Sequence, residues 1–290
     1  MSSNNHIVFL FLLGLVAGDA PAQETAREVP SRDTAQQAPD RDQSIFVLSK
    51  TIQADAVDFT VDNLGNIYLL SKDNRLKKLN ANGDSLAVFN DVSRYGTVWS
   101  IDATNPLKLL VFYREFTMIV ELDRYLNVIN TIDLRSLNIL QAKAIGLAYD
   151  NNIWVYDELD TRLKRIRDDG SLADQTNDFR QLFDSVPDPS VIIDQGGLVY
   201  LYDRTRGVYA FDHYGTVKTH VFLPGWLDFN VIDKSILGRD RQKFFKYQLS
   251  TLDVQEQPIP AEYRDAIKIR ITPSSIYALK KTGLEVYTRR

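Results

Sequence analysis

Between Val57 and Phe89 the chain reads VDFTVDNLGNIYLLSKDNRLKKLNANGDSLAVF. It holds four short stretches of alternating, β-branched or aromatic residues, broken by DNLGN, KDN and NANGD. The interruptions consist of residues that accept positive φ or bond their own backbone, so they predict tight turns between antiparallel strands. Four such strands in succession make one blade of a β-propeller. The second stretch recurs as NIYLL, KLLVF, NIWVY, LVYLY, SILG and SIYAL, anchored at Ile67, Leu109, Ile153, Val199, Ile236 and Ile276. Successive anchors are 42, 44, 46, 37 and 40 residues apart, near the roughly 40–50 of propeller repeats. The turn between third and fourth stretches recurs at Asn82-Gly83, Arg124-Tyr125, Asp169-Gly170 and Tyr214-Gly215, with Ser250-Thr251 in the fifth copy. Six anchors predict six blades.

The sixth copy stops at Arg290, directly after its third stretch (LEVYT), and lacks a fourth strand. The segment SIFVLSKTIQ, Ser44 to Gln53, is a strand ahead of the first copy with no blade of its own. The pattern therefore predicts an all-β fold, a six-bladed β-propeller closed by an N-terminal strand that completes the last blade. Closure removes two free sheet edges, which otherwise invite association. A sandwich or an open solenoid is the alternative, and neither matches the surplus strand at one end to the deficit at the other.

Ahead of the repeats, Ile7 to Ala17 is an apolar run of the length of a signal-peptide core, too short to span a bilayer, and Ala20-Pro21-Ala22 fits the small-x-small cleavage pattern. No Lys or Arg precedes the run. Residues 23–43 are polar, charged and without aromatics, and bury too little to offset the entropy of ordering. The domain reading is a signal peptide over 1–22, a disordered linker over 23–43 and the propeller over 44–290. The expected location is periplasmic or extracellular. No later segment has the ~20 apolar residues of a membrane helix, so no transmembrane segment is expected in the mature chain.

The 44% hydrophobic content is enough for a sizeable core, and 34 Lys and Arg against 38 Asp and Glu leave a net charge of −4. That balance argues against a nucleic-acid partner, which asks for a basic excess. The absence of cysteine removes disulfides, zinc–thiolate sites, thiol nucleophiles and cysteine lipidation.

The opening Asp62, Gly65, Asn66, Ile67, Tyr68, followed by a polar turn and L-x-x-L-N-x-x-G, resembles the NHL and SMP-30 type of six-bladed repeat. The resemblance runs from about Ser44 to Arg290. It is good in copies one, three and four and degraded in the others. It implies the fold and leaves the activity open, since such propellers include lactonases, other enzymes and domains that only bind.

A propeller works at one face, where the loops joining strands two to three and the loops joining one blade to the next share a rim. The two-to-three loops carry Lys72-Asp73-Asn74, Arg114-Glu115, Asp157-Glu158-Leu159-Asp160, Asp203-Arg204-Thr205, Arg239-Asp240-Arg241 and Lys280-Lys281, flanked by Tyr113, Phe116, Tyr156 and Tyr202. Mixed charge beside aromatics suits recognition of a protein, peptide or glycan of the cell envelope, although a short hairpin turn is charged simply because it is solvated. Candidate binding residues are Arg114, Glu115, Asp157, Glu158, Asp203, Arg204, Arg239 and Arg241. Trp226 joins them, because the FLPGWL link between blades four and five is more apolar than a rim loop needs and a tryptophan can anchor a partner. The competing reading is that Trp226 plugs the space between blades.

Asp55, Asp58, Asp188, Asp228 and Asp265 stand near the starts of first strands and, with Asn230, could offer oxygen ligands to calcium or magnesium. The SMP-30-like lactonases hold their ion with a Glu, an Asn and Asp residues, and no Glu stands at a first-strand start here. No metal or other cofactor is therefore expected. Of three histidines, His6 lies in the signal peptide, His213 in a turn of the opposite face and His220 on an outer strand, so no nucleophile–histidine–acid arrangement crosses the rim. The expectation is a non-catalytic binding or scaffold protein. The alternative is a metal-dependent hydrolase or lactonase of the SMP-30-like kind.

Overall fold

In the computed structural model the described residues are 46–290, apart from the side chains of Val92 and Ser93. The expected signal peptide and linker lie outside them. The described chain forms six four-stranded antiparallel sheets, each in sequence order from one edge to the other except the last. The first blade comprises Ala56–Val61, Ile67–Ser71, Leu76–Leu79 and Ser85–Phe89. The innermost strands of the next five are Ser100–Asn105, Ala142–Leu147, Val191–Gln195, Asp228–Ile232 and Lys268–Ile271. Every sequence anchor falls in a second strand, from Ile67–Ser71 to Ser275–Lys280. No helix among the described residues is long and apolar enough to cross a membrane.

The second strands are covered on both faces by neighbouring blades, and all six residues of Lys108–Tyr113 are buried. Outer strands such as Ser85–Phe89 meet solvent, and this one buries only Phe89. This is why second strands read as near-continuous apolar runs and outer strands as polar ones. Each of the six blade interfaces has its own buried cluster. The one between blades six and one joins Phe59, Ile67 and Leu69 to Tyr277, Leu279 and Leu284.

The turns fold for a repeated local reason. Asp62 Oδ1 accepts hydrogen bonds from the backbone N–H groups of Leu64 (3.0 Å) and Asn66 (2.8 Å). Asn80 does the same for Asn82 and Asp84, both at 2.9 Å. Asp123 holds Tyr125 and Asn127 at 2.8 Å, and Asp212 holds Tyr214 at 3.0 Å and Thr216 at 2.9 Å. A side chain that satisfies two turn amides stabilises the reversal before any strand pairs.

The ring closes as the sequence predicts. Phe46–Ile52 pairs antiparallel with Gly283–Arg289, with Phe46 opposite Arg289 and Ile52 opposite Leu284, and becomes the outer strand of blade six. A bulge between Leu48 and Lys50 shifts the register.

Candidate binding surface and central channel

The residues chosen from sequence separate into two groups. Asp157, Asp203, Arg239 and Trp226 are buried. Glu115, Arg204 and Arg241 are exposed, and Arg114 and Glu158 are half-buried.

The buried four serve the fold. Asp203 and Asp157 end second strands and cap the turns that follow. Asp203 Oδ1 accepts from the N–H groups of Thr205 and Arg206 at 2.7 and 3.1 Å, and its Oδ2 takes the Asp188 N–H at 2.8 Å and the Arg206 guanidinium at 3.0 Å. Burial alone would raise this carboxyl, but these bonds outweigh it and hold Asp203 below the ordinary aspartate value. Asp157 accepts from the Leu159 N–H at 3.1 Å and from Lys164 Nζ at 2.7 Å, and Lys164 also reaches Asp160 at 2.5 Å. Burial lowers the Lys164 ammonium, and the two carboxylates more than restore it, so it stays above the ordinary lysine value.

Arg239 is paired with Asp228, and its Nη2 donates to the Ala266 carbonyl at 2.9 Å. That corrects the placement of Arg239 in the solvated rim, because this guanidinium joins blade five to blade six. Trp226 plugs between blades four and five. Its ring lies 6.2 Å from Tyr202 and 5.3 Å from Phe245, and its backbone N–H donates to the Tyr202 hydroxyl at 2.7 Å. A Cβ on Gly238 would sit 1.9 Å from the indole, so the tryptophan is seated against a bare backbone.

The surface that remains is concentrated over blades two to four. Trp99, half exposed in the link from blade one to blade two, lies under the Arg114 guanidinium at 4.7 Å. Arg114 pairs with Glu158 at 3.6 Å, Glu158 approaches Lys143 at 3.8 Å, and Lys143 pairs with Asp188 at 2.7 Å. Gln141 adds a bond to Glu158 at 2.8 Å. Exposed Phe116, Leu140 and Leu159 lie in the loops that carry these residues. Trp99 and Lys143 were not among the sequence candidates, because the sequence reading followed the two-to-three loops and, among the links between blades, weighed only FLPGWL, while Lys143 stands on the first strand Ala142–Leu147. The signal was a tryptophan beside a predicted first strand, outside any apolar period.

The first strands surround a cavity of about 840 Å3. Its section is uneven. On the side of blades three and four the inner strands touch, since a Cβ on Gly146 would sit 2.7 Å from the Ile192 carbonyl oxygen. The cavity lies mainly against blades one, two, four, five and six. The five strand-start carboxylates do not converge, and each meets a cation of its own. Asp55 meets Lys72 at 3.3 Å, Asp58 meets Lys268 at 2.5 Å, Asp188 meets Lys143, Asp228 meets Arg239, and Asp265 meets Lys280 at 3.0 Å. Among the described residues no group of three or more His, Cys, Asp or Glu is placed to share a metal ion. The two described histidines are away from the cavity. His213 bonds Asp194 at 2.9 Å and stacks on Tyr149 at 4.0 Å, and His220 stacks on Tyr209 at 4.0 Å.

No family model matches the chain, and no curated protein matches it in sequence. Solved structures do match in fold. A catalytically inactive histidine-to-alanine variant of virginiamycin B lyase from Staphylococcus aureus, with quinupristin, superposes with a TM-score of 0.61 at 14% identity, over 84% of this chain and 99% of that one. The Neurospora crassa Pan2 WD40 domain gives 0.58 at 12% identity, over 82% and 75%. BBS1N in complex with ARL6DN gives 0.51 at 14% identity, over 85% and 97%. At these identities the likeness establishes the propeller fold, among proteins that include an enzyme and protein-binding domains, and goes no further.

Proposed function

We propose that this chain is an exported binding or scaffold protein of the cell envelope that takes a protein or peptide partner on the rim over blades two to four. The observation that carries the reading is the Trp99–Arg114–Glu158–Lys143–Asp188 row, in which charges alternate in sign beside an exposed aromatic and three exposed apolar side chains. Interfaces are enriched in tryptophan and arginine anchors, with alternating charge setting register and choice of partner. A protein of similar fold, BBS1N, forms a complex with ARL6DN. Export is supported by the apolar run Ile7 to Ala17 and by Ala20-Pro21-Ala22 after it. Neither described histidine lines the channel, and His220 is engaged with the Arg206 carbonyl at 2.9 Å, which favours binding over histidine-based catalysis.

The test is capture from native envelope with identification of the retained species. A species held by the wild type should be lost with Trp99→Ala and with Arg114→Glu, and kept with Arg241→Glu, which lies outside the row. A retained species indifferent to Trp99 and Arg114 places the interface elsewhere, and retention of a glycan alone replaces the protein partner by a sugar.

A further inference from the structure

The central cavity contains a charge without a partner. Arg270, on the innermost strand of blade six, lines the cavity, and among the described residues its guanidinium makes no hydrogen bond or ion pair. The other charged groups around the lumen are engaged, except Asp233, whose carboxylate is exposed. Asp58 has Lys268, Asp228 has Arg239 and the Ile269 N–H, Asp102 accepts from the N–H groups of Thr104 and Leu147, and Asp62 accepts from Leu64, Asn66 and Tyr68. Asn230 lines the same cavity and is 3% exposed. Among the described residues its Oδ1 is sealed without a partner and its Nδ2 makes no bond, so the amide has donor capacity left for the lumen. Arg270 is half-buried, and a guanidinium partly withdrawn from water with no carboxylate bonded to it is costly unless something pairs with it. Burial pushes Arg270 below the ordinary arginine value, and the pull of Asp102 and Asp228 only partly offsets this.

We propose that the channel binds a small organic carboxylate, with its carboxylate on Arg270 and its uncharged body in the cavity. The guanidinium fork matches a carboxylate in a two-bond contact. A volume of about 840 Å3 falls within the range of small-molecule sites, and Val57, Ile193, Phe229 and Val231 supply apolar lining. The aspartates around the lumen oppose a doubly charged phosphate more than a singly charged carboxylate, so the proposal is for the carboxylate. This site is separate from the rim row and does not depend on it.

The experiment is thermal unfolding of the purified full chain in acetate, benzoate or glucuronate, against chloride at equal ionic strength and against inorganic phosphate. A carboxylate at about 100 times its Kd raises the wild-type Tm by roughly 5–10 °C. The rise should vanish in Arg270→Gln and persist in Trp99→Ala. Without any probe, Arg270→Gln should melt at or above the wild type, because the substitution removes an unpaired charge. The proposal is overturned if no carboxylate outperforms chloride or if Arg270→Gln keeps the rise. It is also overturned if phosphate alone stabilises, or if Arg270→Gln without probe melts about 5 °C or more below the wild type, which marks the arginine as structural.

Discussion

Arg239 and Asp228 form a charge pair shut in where blades five and six meet, and the arginine is only 2% exposed. Removing one member leaves the other charged and buried, so Arg239→Ala should lower unfolding stability by about 3–5 kcal/mol in urea titration. A loss under about 1 kcal/mol would mean that water reaches the pair. Asp203 supports a different measurement. Its carboxyl is held below the ordinary aspartate value in the fold, so it contributes stability that is fully present above the unfolded value and lost as pH falls through the depressed one. Between about pH 5 and about pH 3 the urea midpoint of the wild type should fall more steeply than that of Asp203→Asn. Parallel slopes would remove Asp203 from the set of groups that make the fold acid-sensitive. Sequence marked both residues as charges in turns. Which charge is turned inward depends on the neighbouring blade, and no local pattern records that.

At the scale of the element, the turns between third and fourth strands all need one residue with positive φ. Three blades use glycine there: Gly83 at 93°, Gly170 at 75° and Gly215 at 83°. Blades two and five place leucine in the same conformation, Leu126 at 64° and Leu252 at 58°. A side chain in the left-handed region costs about 1–2 kcal/mol, and glycine gives back part of that gain through its freedom in the unfolded chain. Leu252 is exposed, so Leu252→Gly should raise stability by about 0.5–1 kcal/mol. Leu126 is buried in the cluster between blades one and two, so Leu126→Gly should instead lower it by about 2 kcal/mol or more. Urea unfolding of the two variants decides the matter, and equal signs would contradict the account. The missing glycines are also why the repeat looks degraded in copies two and five while the strands themselves are intact.

For the whole molecule, closure by Phe46–Ile52 joins the two ends of the described chain in one sheet. Each blade buries its faces only against its neighbours, so an opened ring exposes one interface and an unpaired strand edge. Deleting 44–53 should therefore lower Tm by several degrees and promote aggregation, while deleting 24–42 should do neither. Equal effects of the two deletions would show that the strand is not what holds the ring shut. The rim row and the channel are also properties of the closed ring, since the row runs from blade two to blade four and the cavity is bounded by first strands from all six blades.

The amino-acid sequence by itself determined the strands, their turns, the number of blades and the closing strand. Each rests on short-range physics: apolar runs in strands covered on both faces, turn residues that bond their own backbone, and a surplus strand that must pair. It also determined that the two-to-three loops carry charge. Only the tertiary structure decided what those charges do, because a carboxylate at the end of a strand looks the same whether it faces water or a lysine on the adjoining strand. Asp157, Asp203 and Arg239 turned inward as caps and inter-blade pairs, and Trp226 became a plug between blades. Trp99, Arg114, Glu158 and Lys143 come from different blades and links and became neighbours only when the ring formed. Arg270 is the clearest case. In sequence it is one basic residue in the alternating stretch KIRI, and it becomes a charge without a bonded partner only when six first strands enclose a lumen in which no described carboxylate pairs with it.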